Sequence, residues 1–332
     1  MTLACVFSDR RSIPSNAVES MWSAADGWQI RRIDWQREKA ATGTATGTAT
    51  GKPRGSILLL VGRGDHYEKY LETLEYYAHA GWAVTSIDWR GQGGSGRFLD
   101  DPHIGHITDF AAWIADLKYF YAKWKSETPG PHVVIAHSMG GHLAMRALAE
   151  KAIDPAALVL SAPMLGIQSG GLPIALSHAF ARLMEYIGRG EKAAWKESEK
   201  PMSPMHLREN ILTHDKERYN DELAWWVKRP NVKVGPPSWH WIERAMASTR
   251  MLDEAGVIES VQTPVLILAT TADQLVDTKR IIKDSERLPN AEIILFGKEA
   301  AHELLREADG VRNKCLAAID SFLERNALGP DT

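Results

Sequence analysis

The sequence predicts an α/β protein with a mostly parallel central sheet flanked by helices and a helical cap inserted between the later strands. Three observations predict this. Short apolar runs, SILLLV (56–61), HVVIAH (132–137) and PVLILAT (264–270), have the composition of strands buried on both faces. Stretches with apolar residues at helical spacing alternate with them, as βαβ units require. That alternation then lapses from about residue 164 to 252, the mark of an insertion.

The elements follow in order. Residues 1–54 form an N-terminal segment with early strands and the repeat ATGTATGTATG (41–51), which reads as a flexible loop. After SILLLV, a helix is expected from Tyr67 to Ala80, ended by Gly81, and then a strand AVTSID (83–88). Residues 107–126 read as a helix, 132–137 as a strand, 139–151 as a helix and ALVLS (157–161) as a strand. After the insertion come the strand 264–270, a helix from Thr278, the strand AEIILF (291–296) and a last helix over 303–326. The core is thus expected in 55–163 and 253–332, with the cap in 164–252. Within the cap, LPIALSHAFARLMEYI is amphipathic, and its apolar face is expected to be buried against the mouth of the core. The cap should sit over the carboxyl ends of the strands, where open α/β sheets bind ligands.

Composition narrows the function. With 39 basic and 42 acidic residues the net charge is −3, which provides no strong field for nucleic acid or for an anionic membrane. Two cysteines, Cys5 and Cys315, make neither a disulfide framework nor a metal cluster. No apolar stretch approaches membrane-spanning length, so a reducing cytoplasm is the expected setting, with peripheral membrane contact left open.

The stretch AHSMGG (136–141) joins a strand to a helix and differs from the nucleophile-elbow pattern G-x-S-x-G only in its first position, Ala136. Serine at such a turn is commonly a helix cap. The small residues at 136, 140 and 141 instead suit the close, strained turn of an elbow, with Ser138 as nucleophile. Met139 opens the helix, and its N–H is a candidate oxyanion donor. An acid and a base should then follow in the chain order Ser, Asp, His. Asp273 stands just after PVLIL, and His302 follows the next strand, one α–β unit later. Asp277 is the rival acid, but TKRIIK continues directly from it, so it reads as a helix cap. The second oxyanion donor is expected after SILLLV, where VGRGD allows a sharp bend and offers the N–H of Arg63.

A competing motif, GQGGSG (91–96), fits G-x-G-x-x-G and follows a strand. A phosphate-binding loop must run into a helix, and here Pro102 and Gly105 follow instead. Nucleotide binding is therefore disfavoured.

The motifs GRGDHYEKY, IDWRGQGGSGR, GHITDF, AHSMGGHLAMRAL, SAPM, VGPPSWHW, TTADQLVD and AHELLRE, in this order over about residues 55–325, resemble the α/β-hydrolase superfamily. The chain is most similar to its bacterial lysophospholipase and monoacylglycerol lipase group. The resemblance implies an α/β-hydrolase fold, a triad of Ser138, Asp273 and His302, an oxyanion hole of the Arg63 and Met139 backbones, and 164–252 as the lid. It implies a small lipid ester as substrate and no metal or organic cofactor. Val61 replaces a histidine usual in monoacylglycerol lipases, and Ala136 replaces glycine; both lean toward the lysophospholipase-like branch. Met164, Trp239 and Trp241 are expected in the acyl pocket, although the two tryptophans could equally pack cap on core. Short-chain carboxylesterases, thioesterases and carbon–carbon bond hydrolases share the fold, as would a catalytically silent binding protein. A dehalogenase is disfavoured, because it needs a carboxylate at 138. The sequence leaves acyl length, head group and oligomeric state open.

Overall fold

The computed structural model describes residues 9–35, 53–168, 173–195 and 205–328. The 41–51 repeat and Cys5 lie outside them. Eight strands form one sheet: β1 (Ala17–Ser23), β2 (Gln29–Trp35), β3 (Ser56–Leu60), β4 (Ala83–Ile87), β5 (His132–His137), β6 (Ala157–Ser161), β7 (Val265–Thr270) and β8 (Ala291–Phe296). Their spatial order is β1-β2-β4-β3-β5-β6-β7-β8. The strand β1 pairs antiparallel with β2, and β2 with β4; every other pairing is parallel. Every residue of β3, β6 and β7 is buried, as is nearly all of β5, which is why their sequences carry no alternation. The edge strands β1 and β8 expose much of their length.

Nine α-helices connect and cover the sheet among the described residues: α1 (Leu71–His79), α2 (Phe110–Glu127), α3 (Ser138–Ala149), α4 (Ile174–Tyr186), α5 (Met205–Leu212), α6 (Lys216–Lys228), α7 (Trp239–Met251), α8 (Thr278–Arg287) and α9 (Asp309–Leu323). Side-chain caps fix several starts. Asp109 accepts the Ala111 N–H, so α2 begins at 110 rather than at 107. Asp215, Ser238 and Asp277 do the same for α6, α7 and α8.

Two further boundaries differ from expectation. The stretch 67–80 divides into a 3-10 turn, Tyr67–Tyr70, and α1. The last helix starts at Asp309 rather than 303, and Leu304–Arg306 is a 3-10 turn. The cause is tertiary. The N–H groups of His302 and Glu303 donate to the carbonyls of Ile211 and Leu212 in α5, and the Glu307 carboxylate takes the Ala301 N–H. Glu307 is held extended, at φ −69° and ψ 169°, so a helix begun at 303 could not run through it.

Helices α4 to α7 all lie between β6 and β7. Polar contacts help tie them to the core: the Arg218 guanidinium in α6 grips both oxygens of Glu72 at 2.7 and 2.8 Å, and Thr213 donates to the Arg306 carbonyl at 2.7 Å. The expectation for LPIALSHAFARLMEYI needs correcting. Helix α4 packs on α7, and its inward side is small or polar: Ala181 and His178 are buried, and His178 pairs with Glu243 at 3.0 Å. Its apolar stripe faces outward, with Leu176, Phe180, Leu183 and Ile187 61%, 49%, 51% and 54% exposed. That spacing places all four on one side of the helix.

Candidate active site

The β5–α3 junction is an elbow. Ser138 has φ 50°, a left-handed conformation that costs a non-glycine residue about 1–3 kcal/mol. Close packing around it holds the turn. A Cβ on Gly140 would lie 2.4 Å from the Val61 carbonyl oxygen and 2.7 Å from that of Leu60, so only glycine fits there. Ala136 is fully buried in β5 opposite Leu60, and its methyl is accommodated within the sheet. The Met164 N–H donates to the Ser138 carbonyl at 2.9 Å, fixing the elbow from the other side.

Three sequence-selected side chains converge here. Ser138 Oγ lies 2.9 Å from His302 Nε2, and His302 Nδ1 lies 2.7 Å from Asp273 Oδ2. The other oxygen of Asp273 accepts the N–H groups of Leu275 and Val276 at 2.8 and 3.0 Å. Burial of Asp273 favours the neutral acid, but the His302 charge, its hydrogen bond and these two N–H groups outweigh it, so the pKa falls below the usual value. Burial likewise opposes protonation of His302. The Asp273 carboxylate overcomes this, helped by the charges of Glu303 and Asp65, and the pKa is raised above 6.5. Asp277 takes no part, because its carboxylate caps α8 through the Lys279 and Arg280 N–H groups.

Beside the elbow, the loop after β3 approaches closely. A Cβ on Gly62 would fall 3.0 Å from His137 Cδ2 and 3.2 Å from Ser138 Cβ. The Gly62 N–H is committed to Asp65 Oδ2 at 3.1 Å and the Gly64 N–H to Gln92 Oε1 at 2.6 Å. The Arg63 N–H between them has no partner among the described residues. The Met139 N–H lies in the first turn of α3, where no carbonyl of the same helix can reach it.

Beneath the histidine lies a buried ionic cluster that sequence reasoning missed. Lys69 Nζ bonds Asp65 and lies 2.6 Å from Glu303 and 3.4 Å from Glu222 of α6. Glu303 also pairs with Arg306, and Glu222 with Arg208 of α5 at 2.9 Å. Asp65, His137 and Glu303 converge closely enough to hold a metal ion. The Lys69 ammonium, however, already bridges the two carboxylates, so this donor set does not fit a cation. Burial, and next the charge of His302, lower the His137 pKa to about 4. Neutral His137 donates through Nδ1 to the Ser161 carbonyl at 3.1 Å. The available signal was the density of charge in GRGDHYEKY and the Glu that follows His302.

A cavity of about 690 Å³ opens above Ser138. Met164 and Trp241 line it, as expected, together with Ile167, Leu212, Leu275 and Val276. Trp239 does not: its ring meets Phe180 edge-on, with centroids 5.2 Å apart, between α7 and α4. Two helical steps separate the two tryptophans by about 200° around the axis, so they cannot both face the cavity. The GQGGSG loop has a different task. It wraps the Asp88 carboxylate, which accepts the Gly94 N–H at 2.7 Å, and no helix follows until α2.

The fold and this serine–histidine–aspartate arrangement define an α/β-hydrolase. The family described as serine aminopeptidase, S33 (Hydrolase_4) matches residues 51–309, and the chain belongs to it. It is a serine hydrolase of carboxylic esters. The chain is 33% identical over 289 residues to lysophospholipase L2 of Escherichia coli, covering 81% of this chain and 80% of that protein. It is 30% identical over 273 residues to the probable lysophospholipase L2 of Haemophilus influenzae, covering 81% and 84%. Among solved structures, a soluble variant of monoglyceride lipase from Saccharomyces cerevisiae, bound to a substrate analogue, superposes with a TM-score of 0.71. The match spans 93% of this chain and 95% of that one at 18% identity.

Proposed function

We propose that the protein hydrolyses the acyl ester of lysophospholipids or monoacylglycerols through an acyl-enzyme on Ser138. The observation that carries this reading is the hydrogen-bonded line Ser138–His302–Asp273 at the floor of a cavity with an apolar wall. His302 Nε2 accepts the serine proton as Oγ attacks the ester carbonyl. Asp273 holds the Nδ1–H tautomer and stabilises the imidazolium that forms. The N–H groups of Arg63 and Met139 receive the developing oxyanion, each worth about 10²–10³ in rate. His302 then gives its proton to the leaving glycerol oxygen, and water repeats the sequence on the acyl-enzyme. Met164 and Trp241 flank the acyl chain.

Among the described residues no helix is long and apolar enough to cross a membrane. The outward apolar stripe of α4 supports peripheral seating on a lipid surface, within the reducing cytoplasm expected above.

A panel of esters tests this function: lysophosphatidylcholine, 1-monoacylglycerols and p-nitrophenyl esters of two to sixteen carbons, with an aminoacyl anilide for peptidase activity. The reading expects kcat/KM to rise with acyl length, because each methylene buried against the apolar wall contributes up to about 0.8 kcal/mol. Preference for two-carbon esters would make it a short-chain carboxylesterase, and faster cleavage of the anilide would make it a peptidase.

A further inference from the structure

Among the described residues three Lys and Arg side chains line the cavity, and two of them are neutralised. Lys69 is surrounded by Asp65, Glu303 and Glu222, and Arg208 holds Glu222 through both its Nη atoms at 2.9 and 3.1 Å. The third, Arg63, makes no ion pair with any described carboxylate. Its Nη2 donates to the Gly235 carbonyl, and its Cζ lies 5.2 Å above the Trp241 ring. The group is wedged against Gly105, where a Cβ would come within 2.8 Å of Nη2. Its Nε is buried with no hydrogen-bond partner. Burial, and next the positive charge of Arg208, lower its pKa to about 10, so it remains a cation near neutral pH. A guanidinium without an ion pair, in the lining of an ester-binding cavity, lacks one thing, an anion.

Bond counting gives the anion its place. In a 1-acyl lysophospholipid, the path from the carbonyl carbon through the glycerol to phosphorus has as many bonds as the path from an arginine backbone nitrogen to its Cζ. With the Arg63 N–H on the ester oxyanion, a glycerol chain as extended as the Arg63 side chain brings the phosphodiester to the span of the same residue's fork. We infer that Arg63 is the specificity-determining residue that binds the head-group phosphodiester and makes a lysophospholipid, rather than a neutral monoacylglycerol, the preferred substrate. This rests on the proposed reading of Ser138 and the Arg63 N–H as the ester-binding centre.

Non-hydrolysable ethers test the subsite apart from turnover. The probes are 1-O-dodecylglycero-3-phosphocholine and 1-O-dodecylglycerol, both below their micellar concentrations, with binding read by tryptophan fluorescence. Wild-type protein should bind the phospho-ether at least about tenfold more tightly, and equal binding overturns the assignment without any substitution. Arg63→Met should weaken phospho-ether binding by about 10- to 100-fold relative to the neutral ether, the span of a hydrogen bond to a charged group. Arg63→Lys, which keeps the charge but not the fork, should fall between. A Met variant that weakens both ethers by the same factor overturns the proposal. Glycerophosphocholine, the head group without its chain, should compete at least tenfold more weakly than the phospho-ether; equal competition would make this a site for a free phosphoester. If no ester is hydrolysed while the binding ratio holds, the esterase reading fails and the phosphate subsite stands.

Discussion

Asp273 Oδ2 receives His302 Nδ1 at 2.7 Å, while Asp277, four residues on, has its carboxylate on the first-turn N–H groups of α8. The two acids therefore do different work, and substitution separates them. Asp273→Asn keeps the shape but favours the wrong tautomer of His302, and kcat should fall by about 10⁴. Asp277→Asn should retain most activity and cost at most about 1 kcal/mol of stability. Ester kinetics and urea midpoints on both variants check this, and a more damaging Asp277→Asn would reverse the assignment.

The raised pKa of His302 sets the pH profile. The base must be neutral to accept the serine proton, so kcat/KM should rise with pH through a midpoint above 6.5 and then level off. The stability linkage runs the other way: a raised histidine pKa stabilises the fold at low pH, and that contribution is lost as pH climbs through the folded value. A pH–rate profile with its midpoint below 6.5 would mean that Asp273 does not govern the base.

Much of this site was legible in the sequence, and the reason is local. Ser138, Asp273 and His302 each stand at the carboxyl end of a strand whose apolar run is unmistakable, so strand order alone brings them near one another. The orientation of α4 was not legible. Its periodicity shows an apolar stripe but not which surface it meets, and packing on α7 turned Leu176, Phe180 and Leu183 outward. The 3-10 turn after His302 was likewise hidden, because this segment is held in part by a pair of carbonyls in α5 about ninety residues earlier in the chain. Trp239 and Trp241 look equivalent in PPSWHW, and only the helical rotation of α7 assigns one to the cavity and one to the cap. Lys69 and its carboxylates come from three separate stretches of the chain, 65–69, 222 and 303, so no single motif announced the whole cluster.

That cluster predicts a stability effect. Lys69→Met would leave Asp65 and Glu303 buried around an apolar chain, with only their other partners to compensate them. Removing one member of a buried ion network costs about 3–5 kcal/mol. Denaturant unfolding should show a loss of that order, and a loss below 1 kcal/mol would mean that the remaining partners suffice.

The outward stripe of α4 predicts interfacial behaviour. Leu183→Glu with Phe180→Ser should reduce co-sedimentation with phosphatidylglycerol vesicles several-fold. Hydrolysis of a short, monomeric ester should stay within twofold, because neither residue lines the cavity. Equal loss in both assays would make the stripe a structural feature of the cap.

Hydrolysis through an acyl-enzyme requires Ser138 as the nucleophile, and mass spectrometry after reaction with a fluorophosphonate tests that most directly. The predicted result is one adduct, on the peptide containing Ser138, lost in a folded Ser138→Ala variant together with ester turnover. An adduct on another residue, or substantial turnover by pure Ser138→Ala protein, would contradict it.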